Sequence, residues 1–311
     1  MKSHILKIIF LIVCLNAYAQ ENEEAISLNT TTGTIDGALL YPASSEKIPI
    51  VLIISGSGPT DRNGNSTMTT NNSLKMLAED LFENKIASVR YDKRGVAKSA
   101  DAAINEVDLR FDNFVDDAKA WVDLLKNDSR FSEIIIAGHS EGSLIGMLTS
   151  QKSEVSKFIS LAGPGSPAGE LMREQLNTQP ISIKEKALPI IKKLENGKTV
   201  EKVPQNMFSL FRTSIQQYMI SWFKYDPQKE IKKLDKPILI VQGTTDIQVS
   251  TLDAKKLHEG NKKSEKHIIK GMNHILKTVE ADRALNLATY SNPDLPLADG
   301  LTQKVVEFIG K

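Results

Sequence analysis

The segment Gly138-His139-Ser140-Glu141-Gly142 places a serine between two glycines at the spacing G-x-S-x-G. In a sharp strand-to-helix turn this spacing lifts the serine hydroxyl clear of the backbone and exposes it as a nucleophile. Side chains at positions 138 and 142 would collide with neighbouring backbone in such a turn. A hydroxyl attacks poorly until a base takes its proton, and histidine is the usual base. The chain has five histidines. His4 lies in the apolar N-terminal segment, and His139 sits too close to Ser140 along the chain to reach it. His258 falls in a helix-like stretch and His267 in a strand-like one. His274, in the turn after Gly271-Met272-Asn273, is therefore the candidate base.

An imidazole base needs a carboxylate to orient it. Asp246 follows an apolar β-like run through Gln242-Gly243-Thr244-Thr245, and is the candidate. Asp92 competes, at the end of an earlier run. Asp235 precedes its run, and Asp253 belongs to the following helix.

Acyl transfer to serine builds negative charge on the former carbonyl oxygen, which backbone N–H groups stabilise. The Glu141 amide, at the start of the helix after Ser140, is one candidate donor. The second comes from the turn Ser55-Gly56-Ser57-Gly58, whose glycines allow close backbone approach. Ser57 is preferred there, with Gly56 the alternative.

These groups need a scaffold that brings distant turns to one edge. Ile48 to Ile54, Ile86 to Tyr91, Phe131 to Ala137, Phe158 to Leu161, Pro237 to Val241 and His267 to Ile269 read as strands. A short β-like stretch around Gly33 to Tyr41 precedes them. The run Ile48 to Ile54 is continuous and apolar, as in a strand buried on both faces. Helical spacing of Leu74, Leu77 and Leu81 marks a helix over 73–84, with Asn72 or Ser73 as its cap. Phe114, Ala118, Trp121, Val122 and Leu125 mark another. Strands alternating with helices predict a parallel sheet covered on both faces, with active groups at the carboxyl ends of its strands.

The alternation stops between about 165 and 235, which reads as an inserted helical cap. Within it Met207, Phe211, Ile215, Tyr218, Met219, Trp222 and Phe223 recur near helical spacing. They pack the cap on the core or line an apolar acyl pocket.

Lys plus Arg is 39 and Asp plus Glu is 38, a balance with no basic face for nucleic acid. Lys2 and Lys7, the apolar run Ile8 to Leu15, and Ala17-Tyr18-Ala19 form the pattern of a secretory signal peptide over residues 1–19. The run is too short to span a bilayer. Its removal takes away Cys14, the only cysteine, and so every disulfide, thiol nucleophile and thiolate metal site. The expected product is exported, periplasmic or secreted, with a single domain over 20–311 and no membrane span. No oligomeric state follows.

Together, Ser55 to Gly64, Tyr91 to Ser99 (YDKRGVAKS), Gly138 to Gly142, Gln242 to Asp246 and Gly271 to His274 resemble the α/β-hydrolase superfamily. Within it the chain looks like bacterial carboxylesterases and serine-aminopeptidase-like hydrolases. The order Ser140, Asp246, His274 is the one that fold uses. The resemblance implies an eight-stranded, mostly parallel sheet, a helical cap, a serine triad, a small-molecule ester substrate and no cofactor. The chain departs from it at Ser55-Gly56, where many relatives have His-Gly, and at Ala97, where glycine is common. Asp92, Arg94 and Ser99 are expected to hold their loop together through an Arg–carboxylate fork. A peptidase is the alternative activity, with Glu141 or Asp112 to hold a substrate amino group. A non-catalytic binding protein on the same scaffold is the third possibility.

Overall fold

A computed structural model of the chain describes residues 23–311. The segment assigned to the signal peptide lies outside the described residues.

Eight strands form one sheet in the order β1-β2-β4-β3-β5-β6-β7-β8. They are β1 (Glu23–Thr30), β2 (Gly33–Leu40), β3 (Ile48–Ile54), β4 (Ala87–Tyr91), β5 (Phe131–His139), β6 (Lys157–Leu161), β7 (Ile238–Gly243) and β8 (Glu265–Ile269). The β1–β2 and β2–β4 pairings are antiparallel, and the remaining five are parallel.

Strand β3 shows why the central strands read as unbroken apolar runs. Ile50, Leu52 and Ile54 enter the core on one face, and Val51 and Ile53 the core on the other. On the first face lie α2 (Phe111–Lys126) and α3 (Glu141–Lys152); the second is covered by α1 (Ser73–Glu83) and the C-terminal helix α11 (Leu301–Ile309). Burying both faces removes water from this strand, so apolar residues are favoured at each position rather than at alternate ones.

The start of α1 differs from the expectation. Asn72 adopts a left-handed conformation, φ 55°, and neither it nor Ser73 caps the helix through its side chain. The first amides are met from the preceding loop instead. Ser73 N–H donates to Asn71 Oδ1 at 3.0 Å and Leu74 N–H to the Asn63 carbonyl at 3.1 Å.

Between β6 and β7 the chain forms helices without strands: α4 (Ala168–Gln175), α5 (Ile181–Glu195), α6 (Phe208–Phe211), α7 (Gln216–Trp222) and α8 (Pro227–Ile231), with short 3₁₀ turns. Ala187, Ile190, Ile191 and Leu194 form the buried stripe of α5, and its Lys and Glu residues stay on the outer side. Met207, Phe211, Tyr218 and Met219 are buried against the first face of the domain core. Trp222 stacks on Phe111 at 5.9 Å with the rings nearly parallel. The aromatic recurrence is therefore mainly packing. Ile215 and Tyr218 also line a cavity of about 330 Å³ with Lys93, Phe114 and Arg212.

After β7 come α9 (Thr251–Gly260), β8 and α10 (Arg283–Thr289). Among the described residues, no helix is long and apolar enough to cross a membrane. No group of three or more His, Cys, Asp or Glu among them is arranged to hold a metal ion.

Candidate active site

Ser140 stands between the end of β5 and the first residue of α3, with φ 55° and ψ −122°. A non-glycine residue in this region stores about 1–3 kcal/mol of strain, and surrounding structure must impose it. Here the restraint is visible. Ser140 N–H donates to the Leu161 carbonyl and Ser143 N–H to the Ser140 carbonyl, each at 2.9 Å. A Cβ at Gly138 would fall 2.2 Å from the Gly142 carbonyl oxygen, and one at Gly142 would fall 2.3 Å from that of Ile54. The two glycines let the turn close and let α3 press against the end of β3.

His274 lies in the turn after β8, and Asp246 in the turn after β7, so both are at carboxyl ends of parallel strands. His274 Nδ1 and Asp246 Oδ2 are 2.8 Å apart, and the aspartate side chain is fully buried. Both carboxylate oxygens are occupied twice. Oδ2 also accepts from Gln242 Nε2 at 2.9 Å; Oδ1 accepts the Gln248 and Val249 amides at 2.8 and 2.9 Å. Burial alone would raise the Asp246 pKa. The His274 ring and the Val249 and Gln248 amides outweigh it and hold the carboxyl below its ordinary value. A charged Asp246 fixes the proton of His274 on Nδ1, which leaves Nε2 free to accept.

Ser140 and His274 line one cavity of about 150 Å³ together with Gly56, Ser57, His139 and Tyr290. The Ser140 hydroxyl makes no hydrogen bond among the described residues; such contacts in unliganded sites often tighten only with substrate. The Glu141 amide is the first N–H of α3 and so has no partner within the helix. A Cβ at Gly56 would come 3.1 Å from Ser140 Cβ, so the 55–58 turn runs directly over the serine. Ser57 N–H also has no partner among the described residues, so both preferred donors are unengaged.

His139 does more than fill the elbow. Its buried Nε2 is 2.7 Å from the His274 carbonyl, across 135 positions of sequence, so it donates there and tethers the turn that carries His274. Burial, and then the neighbouring His274, lower its pKa from 6.5 to about 4. The folded state therefore keeps His139 neutral where the unfolded chain takes up a proton. Stability should fall as pH drops from 6.5 towards 4, by about 3 kcal/mol over the whole window. Denaturant unfolding at pH 7 and pH 5 checks this. His139→Gln, which keeps a donor for the carbonyl, should flatten the slope; an unchanged slope would remove His139 as its source.

The fork assigned to Arg94 has a different partner. Arg94 Nε donates to Asp117 Oδ2 of α2 at 2.7 Å, in a two-bond pairing with that carboxylate. Asp92 is held by Arg62 at 2.7 Å, and Ser99 Oγ donates to the Asp92 carbonyl at 2.8 Å. All three residues organise the loop after β4: Ser99 closes it on Asp92 as expected, while the carboxylate of Asp92 and the guanidinium of Arg94 find partners farther off in the sequence.

The family described as serine aminopeptidase, S33, matches residues 69–280, a span that includes Ser140, Asp246 and His274. The chain belongs to this family. The 55–58 turn lies outside the matched span. The chain is 27% identical over 227 residues to the esterase EstD of Thermotoga maritima, covering 72% of this chain and 52% of the relative. It thus spans about half the length of that curated relative. Among solved structures, Est1E from Butyrivibrio proteoclasticus with bound ferulic acid superposes with a TM-score of 0.61 at 20% identity, over 92% of this chain and 100% of that one. The Pyrococcus furiosus esterase Pf2001 gives 0.57 at 15% identity, over 93% and 91%. At these identities the structures show the fold, and the fold is that of the α/β-hydrolases.

Proposed function

We propose that this chain is an exported serine hydrolase that cleaves carboxylic esters through an acyl-enzyme on Ser140. One observation carries the reading. Asp246 is bonded to His274, and His274 shares a small cavity with a serine held in a strained strand-to-helix turn. His274 Nε2 takes the Ser140 proton as Oγ attacks the ester carbonyl. The amides of Ser57 and Glu141 hold the oxyanion. The alcohol leaves with the proton from His274. Water then attacks the acyl group, gives its proton to the same imidazole, and the carboxylic acid departs as Ser140 is reprotonated. Similarity to EstD supports ester chemistry.

The family's name raises the peptidase alternative, which needs an anion to hold a substrate amino group. Among the described residues, no Asp or Glu lines the cavity of Ser140 and His274. Glu141 is buried beside Lys93, and Asp112 accepts a hydrogen bond from Tyr225 at 2.5 Å. Neither lines the cavity of Ser140 and His274, so esters are favoured.

The test begins with protein recovered from the periplasm or medium, whose N-terminus should read Gln20. A fluorophosphonate probe should label it, and p-nitrophenyl esters of graded chain length should turn over far faster than aminoacyl p-nitroanilides. Equal turnover of the anilides would favour the peptidase. No labelling and no turnover would favour a binding protein. A retained N-terminus beginning at Met1 in the cytoplasm would remove export.

A further inference from the structure

Lys93 is a lysine with almost no access to water: it is 2% exposed, just past β4, beneath the nucleophile turn. Burying an ammonium without compensation is costly, and a lysine so placed needs a reason. Its Nζ donates to the carbonyl oxygen of Gly56 and lies 5.2 Å above the Phe114 ring. The Glu141 carboxylate, also 2% exposed, stands 3.9 Å from that Nζ. Neither Glu141 oxygen has a partner at hydrogen-bond geometry. Tyr218 lies near enough that burial and then this carboxylate hold its phenol well above the ordinary pKa. The pair is buried, and nothing in the mechanism above uses either side chain.

The Gly56 carbonyl belongs to the same peptide unit as the Ser57 N–H. That unit is planar and trans, so the two bonds point in opposite directions. Fixing one fixes the other. Glycine at position 56 makes rotation of this plane cheap, since no Cβ resists it. Some other group must therefore hold the plane, and Lys93 is bonded to it. A cation on the carbonyl also polarises the peptide and strengthens its N–H as a donor.

We propose that Lys93 is a positioning residue of the oxyanion hole, holding the Gly56–Ser57 peptide so that the Ser57 N–H faces the developing oxyanion, and that the Glu141 side chain keeps Lys93 in place. Glu141 would then serve twice, with its amide as one donor and its carboxylate as the anchor of the other. The inference rests on the ester-hydrolase reading and on Ser57 as second donor.

The test compares wild type with Lys93→Met, which keeps the apolar stem and loses the donor. Removing one oxyanion donor costs ~10²–10³ in rate, and misaiming one should cost about 10- to 100-fold in kcat. KM for p-nitrophenyl esters should stay within about twofold, because the loss is confined to the transition state. The Ki of a trifluoromethyl ketone, whose adduct on serine carries an oxyanion, should rise by the same factor. Glu141→Gln, nearly isosteric, should show the same split more weakly, and it replaces Lys93→Met if that variant does not fold. A fall in melting temperature with unchanged kcat and Ki would overturn the proposal, as would a rise in KM alone. Wild type that neither labels with fluorophosphonate nor turns over esters would overturn the underlying reading, and this inference with it.

Discussion

Replacing Ser140 with alanine is expected to abolish fluorophosphonate labelling and to lower kcat for esters by about 10⁶-fold, the loss seen when a serine nucleophile is deleted in a protease with this triad. The more informative variant is Asp246→Asn, for which a loss of about 10⁴ is expected. Its carboxylate accepts four hydrogen bonds, two on each oxygen. An amide placed with its nitrogen towards His274 meets the donors His274 Nδ1–H and Gln242 Nε2–H. The imidazole escapes by moving its proton to Nε2, which is the tautomer unable to take a proton from serine. Placed the other way, the amide nitrogen confronts the Gln248 and Val249 N–H groups. Either orientation is penalised, and the first also inverts the base. The variant should fold, keep KM, and regain part of its rate at high pH, where a wrong tautomer is bypassed by hydroxide. Full activity in Asp246→Asn would remove Asp246 from the site and return attention to Asp92, which the structure binds instead to Arg62.

Sequence and structure agree best where one physical cause acts alone. The runs Ile48 to Ile54 and Ile134 to Ile136 are legible as strands because burial on both faces leaves no polar position to blur them. Strand β1, EEAISLNT, escapes sequence reading for the opposite reason. It is an edge strand paired to β2 alone, with five of its eight residues exposed, so it carries almost no apolar signal. Helix α3 begins at Glu141, three residues before its first apolar side chain, because the elbow geometry and not periodicity starts it.

The same distinction runs through the site. Ser140, Asp246 and His274 announce themselves through a motif, a chain order and a place after strands. What holds them does not. His139 reaches the His274 carbonyl and Arg94 reaches Asp117 only because the sheet brings β5, β8 and α2 together. Gln242 was legible as part of the turn before Asp246, but its bond to that carboxylate follows from strand β7 ending where it does. Lys93 gave one signal that could have been used: a lysine at the end of an otherwise buried strand, with no exposed side to which it could belong.

The elbow glycines carry the second large effect. Gly142→Ala should lower the melting temperature by about 10 °C or prevent folding, and any folded fraction should lose about 10²-fold in kcat. The added Cβ would lie 2.3 Å from the Ile54 carbonyl oxygen and 2.7 Å from that of Ser55. Both obstacles are backbone at the end of the central strand, so no rotamer change relieves them. Overpacking costs typically 1–3 kcal/mol, and a backbone obstacle puts this site at the upper end or beyond. The available relief is for α3 to lift away from β3 by most of an ångström. That movement separates the Glu141 amide on α3 from the Ser57 amide beyond β3, and a misplacement of about 1 Å in a reacting group can cost 10² in rate. Gly146→Ala supplies the comparison, since its Cβ would meet the buried Ile136 and Phe158 side chains at 2.8 and 2.9 Å, a core obstacle one turn further along α3 that does not press on the end of β3. It should lose some stability and keep most of its kcat. Thermal melts and ester kinetics on the two variants together decide the matter. If Gly142→Ala proves as stable and as active as Gly146→Ala, the close approach of α3 to β3 is not what holds the two amides over the serine.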